Sequence, residues 1–248
     1  MAGRNCADIV FCIDASGSMK PCFDAVRRNI AELMNGLQSD GQTSWDVRYD
    51  FLAFHDNEEG AHDYTTTRTG GVELIDILYH KGDRTKLFTR NTEELCQALQ
   101  KRVTTEGDEQ QLTALDTAMD FPWRSSDECH RVVVLLTDEA LETGVAVEVQ
   151  KQAINRMIRK AQDKRIKLFV IAPESEAFFE LSALDRCEYT DLQDTQDGLR
   201  GVDFSKLLQT IGRSVSVSQH YANGEESPSP CFEQDKWGGC SNASFTGS

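Results

Sequence analysis

Three short runs of almost continuous apolar residues constrain the fold of this chain more than any other feature. They read DIVFCI, RVVVLLT and IKLFVIA, and they span Asp8–Ile13, Arg131–Thr137 and Ile166–Ala172. A strand covered on both faces shows such a run, whereas a strand with one wet face alternates polar and apolar residues. Helix-like segments separate the runs. This order predicts a mostly parallel sheet with helices on both faces.

Weaker patterns complete the predicted fold. Asp46–Phe54 is predicted as the second strand and Cys187–Thr190 as a short last strand, while Val72–Tyr79 and Lys86–Thr89 have the pattern of an antiparallel edge. Apolar residues at spacings of three and four predict helices that begin near Phe23, Asn91, Thr113, Val145, Glu176 and Phe204. We therefore expect an α/β fold with a doubly wound, mostly parallel sheet and one antiparallel edge strand.

The composition changes near the carboxyl terminus and divides the chain. Residues 1–218 hold all the predicted strands and helices and are expected to form one domain. Residues 219–248 contain Gly, Ser and Pro but no apolar periodicity, which predicts a flexible tail.

The charge balance is strongly acidic, with 26 Lys and Arg against 41 Asp and Glu and a formal net charge of −15. Such a surface repels nucleic acid and anionic membranes, so we expect neither as a partner. Ile9–Ile13 is too short an apolar run for a signal peptide. The eight cysteines include no Cys-x-x-Cys pair. We therefore expect a cytoplasmic protein.

Oxygen-bearing side chains follow the predicted strands at one edge of the sheet. Asp14, Ser16 and Ser18 come directly after the first strand, Asp138 follows the strand RVVVLLT, and Thr113 stands at the start of a short helix. Ligands bind outside the carboxyl ends of parallel strands, so these side chains are expected to converge. Two carboxylates and three hydroxyls are hard donors that suit Mg²⁺ or Mn²⁺, whereas zinc prefers nitrogen and sulfur.

This arrangement resembles the metal-ion-dependent adhesion site (MIDAS) of von Willebrand factor A (vWA) domains. The motif Asp14-x-Ser16-x-Ser18 after a first strand, followed in order by Thr113 and Asp138, carries the resemblance, which extends over nearly all of the chain except the tail. The resemblance implies a Rossmann-like fold in which Asp14, Ser16 and Ser18 bind the cation directly. Thr113 and Asp138 would bind it directly or through water. The open coordination position would then accept a carboxylate from a partner protein.

Two positions depart from the family pattern. Glycines usually precede the threonine, whereas Gly107 is the only one shortly before Thr113. Glu139 stands where the family often has a glycine after the last aspartate. Whether Glu139 takes part in the site stays open, as it does for His55, which follows the second predicted strand.

The resemblance is to intracellular bacterial vWA proteins, which are associated with MoxR-type AAA+ ATPases or with kinase and phosphatase partners in stress or defence systems. It implies an adaptor that binds a partner's Asp or Glu through the cation, and not an enzyme. One alternative is a Mg²⁺-dependent phosphotransferase of the haloacid-dehalogenase type, but that chemistry needs a second Asp where this chain has Ser16. The other is a structural vWA subunit with an unused metal site.

Overall fold

A five-stranded parallel sheet forms the centre of the fold in the computed structural model. The structure describes residues 5–14, 16–38, 44–54, 88–100, 111–127, 129–139, 147–192 and 201–222. The strands are β1 (Asn5–Asp14), β2 (Trp45–Phe54), β3 (His130–Leu136), β4 (Ile166–Ala172) and β5 (Cys187–Asp191). They lie in the order β2-β1-β3-β4-β5, and every pairing is parallel. The predicted α/β fold is confirmed.

Helices cover both faces of this sheet. They are α1 (Lys20–Leu37), α2 (Thr92–Gln100), α3 (Gln111–Met119), α4 (Val147–Asp163), α5 (Glu176–Leu181) and α6 (Phe204–Ala222). α1, α2 and α6 share one hydrophobic core with the sheet, and α3, α4 and α5 share the other. No helix within the described ranges is both long enough and apolar enough to cross a membrane.

β1 is buried along its whole length because helices cover both of its faces. Ile9 and Ile13 join the core under α1, α2 and α6, whereas Val10 and Cys12 join the core under α3, α4 and α5. Neighbouring residues of a strand point to opposite faces. A strand between two cores therefore needs apolar residues at both its odd and its even positions. This requirement explains the continuous run that predicted the strand.

α6 packs unusually close to α1. A Cβ atom at Gly36 would lie 2.2 Å from the Gln209 carbonyl oxygen, and one at Gly212 would lie 2.3 Å from the Leu33 carbonyl oxygen. Such distances exclude any side chain. The two glycines therefore allow the backbones of the helices to touch, which holds the closing helix against the first one.

α6 continues to Ala222, past residue 218, since a helix can extend through backbone hydrogen bonds without further apolar residues. The division into a domain and a tail stays a prediction. Among the described residues, the antiparallel edge consists of a single bridge between Tyr49 of β2 and Thr89. The predicted strand Val72–Tyr79 and residues 223–248 of the predicted tail lie outside the described residues.

A charged network occupies the amino edge of the sheet. Asp8 of β1 is 0% exposed. Arg48 donates to its two carboxylate oxygens from Nη2 at 2.6 Å and from Nε at 2.8 Å. Arg124 donates to them from its backbone N–H and from Nε, both at 2.8 Å. Burial alone would raise the pKa of Asp8, but the hydrogen bonds from the two arginines outweigh it and hold the pKa below its usual value.

Candidate metal site at the carboxyl edge of the sheet

The Asp14 carboxylate lies at the end of β1 and is 0% exposed. Its Oδ1 accepts a hydrogen bond from the Ser16 backbone N–H at 2.7 Å, and its Oδ2 accepts one from Thr137 Oγ1 at 2.9 Å. Both donors are neutral. None of the ion pairs formed within the described part of the chain includes Asp14. The edge therefore holds a buried carboxylate without a cationic partner from these residues.

The environment of Asp14 opposes its ionisation. Its pKa is raised from 3.8 to about 6. Burial is the main cause and the nearby charge of Asp138 adds to it, while the hydrogen bonds from Ser16 and Thr137 act in the opposite direction. A divalent cation stabilises an ionised carboxylate and competes with the proton for it. The position is thus one where a bound cation would remove an electrostatic cost.

A chain of hydrogen bonds leads from Asp14 toward solvent. Ser16 Oγ and Ser18 Oγ lie 2.9 Å apart, and Ser18 Oγ donates to Asp138 Oδ1 at 3.1 Å. Ser16 is buried, Asp138 is half-buried and Ser18 is exposed. The structure therefore brings together four of the five predicted site residues, in a cluster that opens at the surface.

A tight turn after β1 places the two serine hydroxyls side by side. Gly17–Met19 forms a short 3-10 helix, and the Met19 N–H donates to the Ser16 carbonyl oxygen at 3.1 Å. α1 follows at once with Pro21 in its first turn, where the missing N–H costs no hydrogen bond. The turn and the helix start together limit the positions that Ser16 and Ser18 can take.

Thr137 is a site residue that the sequence reasoning missed. It is fully buried, and its Oγ1 donates to Asp14 and accepts the Glu139 backbone N–H at 3.2 Å. β1 and β3 pair with Ile13 opposite Leu136, so the next residues of the two strands are neighbours. Knowledge that these two strands are adjacent would have revealed the contact, but the sequence does not state strand order.

Thr113 lies apart from this hydrogen-bond network. The described part of α3 already includes Gln111, two residues before the predicted start, so Thr113 lies within the helix and not at its first residue. Its side chain is half-buried, and its carbonyl oxygen accepts the Thr117 hydroxyl at 2.8 Å. Within the described residues, its hydroxyl makes no hydrogen bond with Asp14 or with Asp138. The role of Thr113 as a ligand stays a prediction.

Of the two positions left open at the rim, the structure describes one. Glu139 is exposed, and its backbone N–H bonds to Thr137, so this residue follows Asp138 at the opening of the cluster. His55 lies outside the described residues. Its participation therefore stays open.

The chemistry of the cluster fits a hard divalent cation. Carboxylates come from Asp14 and Asp138, and hydroxyls come from Ser16 and Ser18. The described residues contain no group of three or more His, Cys, Asp and Glu side chains that could hold a metal ion. Among the described residues, a metal at this edge would find serine hydroxyls beside two carboxylates, which is an oxygen-only donor set.

Solved structures with this architecture include the SpRpn10 VWA domain and proximal thread matrix protein 1 from the mussel byssus. The first has 13% identity and a TM-score of 0.54, and the match covers 84% of this chain and 97% of that domain. The second has 14% identity and a TM-score of 0.54, with 86% of this chain covered, but the match spans only 48% of the byssus chain. Another structure of the byssus protein has a zinc-occupied MIDAS motif. At these identities the likeness shows the fold.

A family comparison gives a more specific result. No curated protein sequence matches this chain significantly. The model of the von Willebrand factor type A domain matches residues 8–197, which include β1 from Asp8 onward, the other four strands and the candidate metal site. The chain belongs to the von Willebrand factor type A domain family.

Proposed function

We propose that this vWA domain binds Mg²⁺ or Mn²⁺ at Asp14, Ser16, Ser18, Thr113 and Asp138 and captures a carboxylate of a partner protein through the cation. The observation that carries the proposal is the buried Asp14 carboxylate, whose hydrogen-bond partners are neutral. A buried charge is stable only when another charge or a metal compensates it. A cation supplies that compensation here, in a fold that serves as a protein-interaction module.

The charge of the cluster would leave a bound cation able to accept an outside ligand. Asp14 and Asp138 together carry two negative charges when ionised, which equal the charge of one divalent cation, and the serine hydroxyls are neutral. A cation with few anionic ligands keeps its affinity for a further carboxylate. Because Ser18 is exposed and Asp138 is half-buried, a partner's Asp or Glu would approach from their side.

The oxygen-only donor set favours Mg²⁺ or Mn²⁺ over softer metals. The zinc-occupied MIDAS motif of the mussel byssus protein is a reason to include Zn²⁺ in any test of metal preference. We expect Mg²⁺ to be the resident ion under cellular conditions, and Mn²⁺ to replace it at the same oxygens with the same effect on partner binding.

We propose a cytoplasmic adaptor role, with a MoxR-type AAA+ ATPase or a kinase or phosphatase of a bacterial stress or defence system as the partner. All the cysteines that the structure describes are free thiols, which agrees with a reducing compartment. The net charge of −15 disfavours nucleic acid and anionic membranes as partners.

An enzymatic role has less support. A haloacid-dehalogenase-type phosphotransferase needs a general acid and base two residues after its nucleophilic Asp, and Ser16 occupies that position here. The hydroxyl of Ser16 is engaged with Ser18 and cannot shuttle a proton at neutral pH as a carboxylate does. We therefore propose binding and not turnover.

Two measurements test the proposal. Titration of the metal-stripped chain with Mg²⁺ and Mn²⁺ by calorimetry should show one site that is lost in Asp14→Asn and in Ser16→Ala/Ser18→Ala. Affinity capture from the source cells should then yield a partner in Mg²⁺ that is absent in EDTA. Ser125→Ala is the matched control, because Ser125 is an exposed serine beside Arg124 at the opposite edge of the sheet.

The outcomes separate the three hypotheses. Metal-dependent capture that the site variants lose supports the adaptor role. Equal capture in EDTA and by the double serine variant would instead indicate a structural subunit with an unused site. Hydrolysis of a generic phosphate ester that disappears in Asp14→Asn would indicate the phosphotransferase.

A further inference from the structure

A buried amide at the start of α3 has no partner for its oxygen. Gln111 is 1% exposed, and its Oε1 accepts no hydrogen bond from the described residues. A buried acceptor without a donor destabilises a fold, because the oxygen has lost its bonds to water and has gained none in return. Such a group therefore needs an explanation, and a missing ligand is one.

The direction of α3 places Gln111 toward the carboxyl edge of the sheet. The far end of the helix lies at the amino edge, since the Met119 carbonyl oxygen accepts Lys164 Nζ at 3.0 Å and Lys164 stands just before β4 begins. Arg124, which follows α3 closely, binds Asp8 at that same edge. A helix that runs toward the amino edge must begin toward the opposite one.

Gln111 also lies on the face of α3 that covers β1. Residues four and seven positions later, Leu115 and Ala118, pack in the core that contains Val10 and Cys12 of β1. Side chains at these spacings share one face of a helix. Val10, Cys12 and Asp14 alternate along β1 and so share one face of the sheet. The buried amide and the buried carboxylate therefore belong to the same layer and to the same edge.

Thr113 faces another direction. Residues two positions apart on a helix point in directions that differ by about 200°. Thr113 therefore cannot share the face of Gln111. It shares a stripe with Asp116 and Asp120, which lie three and seven positions later and form ion pairs with Lys160 of α4. This stripe is half-buried or exposed, whereas the Gln111 stripe is buried.

We propose one revision of the metal ligand set: Gln111 Oε1, in place of Thr113 Oγ1, is the oxygen that α3 contributes to the cation, and the other four ligands stay the same. The inference rests on the proposed function, because it assumes a cation at Asp14. An amide oxygen is a hard, neutral ligand, so it replaces a hydroxyl without a change in the charge of the set.

The test compares Gln111→Leu with Thr113→Val as a matched control, in the full chain and with Mn²⁺ as the probe. Both variants remove polar atoms and keep size. We expect Gln111→Leu to weaken Mn²⁺ binding by about tenfold or more and Thr113→Val to change it by less than about twofold, in the range seen when supporting residues of metal sites are removed. In EDTA the melting temperature of Gln111→Leu should stay equal or rise, because an unpaired buried oxygen is gone.

Gln111→Glu provides a second measurement if the leucine variant folds poorly. It keeps the oxygen and adds a charge, so Mn²⁺ should bind at least as tightly as in the unaltered chain. The inference is overturned if Gln111→Leu binds Mn²⁺ normally while Asp14→Asn does not, or if Thr113→Val shows the larger loss. If the unaltered chain binds no Mn²⁺, or if Asp14→Asn binds it equally well, the proposed function fails and the inference fails with it.

Discussion

Asp8 and Asp14 stand on the same strand, point to the same face and are both 0% exposed, yet their surroundings are opposite. Asp8 accepts hydrogen bonds from Arg48 and Arg124, and its pKa falls below the usual value. Among the described residues, Asp14 accepts hydrogen bonds only from Ser16 and Thr137, and its pKa rises to about 6.

Under the proposed function, the difference separates a structural carboxylate from a metal-binding one. At the amino edge the protein supplies its own cations, so the buried charge is compensated when the chain folds. At the carboxyl edge the described residues supply hydroxyls and a second carboxylate, and in the proposed function a bound cation would supply the compensation. A buried acid without a protein cation is thus a more specific sign of a binding site than the Asp-x-Ser-x-Ser motif alone.

The largest effect is expected at the amino edge. Asp8→Asn should lower the free energy of unfolding by about 3–5 kcal/mol, because it leaves the guanidinium groups of Arg48 and Arg124 without their shared counter-charge. Urea unfolding followed by circular dichroism measures the loss. An unchanged midpoint would show that the network is not structural and would remove the contrast with Asp14.

The ion pairs of Asp8 should also make the stability of the protein depend on pH. The pKa of Asp8 is lower in the folded chain than its ordinary value of 3.8, so its contribution is fully present above pH 3.8 and is lost as pH falls through the folded pKa. The free energy of unfolding should therefore begin to fall as the pH drops below about 3.8 and should keep falling until the folded carboxylate is protonated, by up to about 1.4 kcal/mol per pH unit for one such group. Asp8→Asn should show a shallower acid limb in the same urea titrations.

In the absence of metal, Asp14→Asn should raise the free energy of unfolding, whereas Asp8→Asn lowers it. In EDTA near pH 8 the variant should be more stable than the unaltered chain by on the order of 1 kcal/mol, since a desolvated charge is replaced by a neutral amide. In saturating Mg²⁺ the order should reverse, because only the unaltered chain gains the free energy of metal binding, about 2.7 kcal/mol at a hundredfold excess over Kd. Thermal unfolding in both buffers measures the two differences, and equal responses of both proteins to Mg²⁺ would contradict the proposed site.

The smallest effect is expected for Thr137→Val. The substitution keeps the shape of the side chain but removes the donor to Asp14 and the acceptor of the Glu139 N–H, which should cost about 1 kcal/mol. Mn²⁺ binding should weaken several-fold, as expected for a residue that orients a metal ligand. Calorimetry and urea unfolding on the same samples would separate the two effects. Stronger binding than in the unaltered chain would contradict this orienting role.

Local signals were sufficient to predict four residues of the candidate site. Asp14, Ser16 and Ser18 follow a strand that its apolar run identifies, and Asp138 follows another, so their common edge could be expected from the sequence. The structure joins these four by hydrogen bonds. Thr137 was missed because its partner lies 123 positions away, and only the pairing of β1 with β3 brings them together.

The start of α3 shows a different limit. The polar run before Thr113 concealed that the helix already includes Gln111, and the helical register there puts Gln111, and not Thr113, on the buried face. The amino-edge network was also not predicted. Asp8 stands at the start of an apolar run, and its arginines lie 40 and 116 positions away in the chain.

The sequence by itself determined the order in which strands and helices follow one another along the chain. It also determined the two-sided burial of β1 and the edge of the sheet where polar groups collect. These follow from periodicity and from the position of residues relative to strand ends, which are local properties. Tertiary structure alone decided which buried carboxylate is compensated, because ion pairs and strand register join residues that are distant in the chain. Within the part of the chain that the structure describes, the fold gives two arginines to Asp8 and only a hydroxyl and a backbone amide to Asp14.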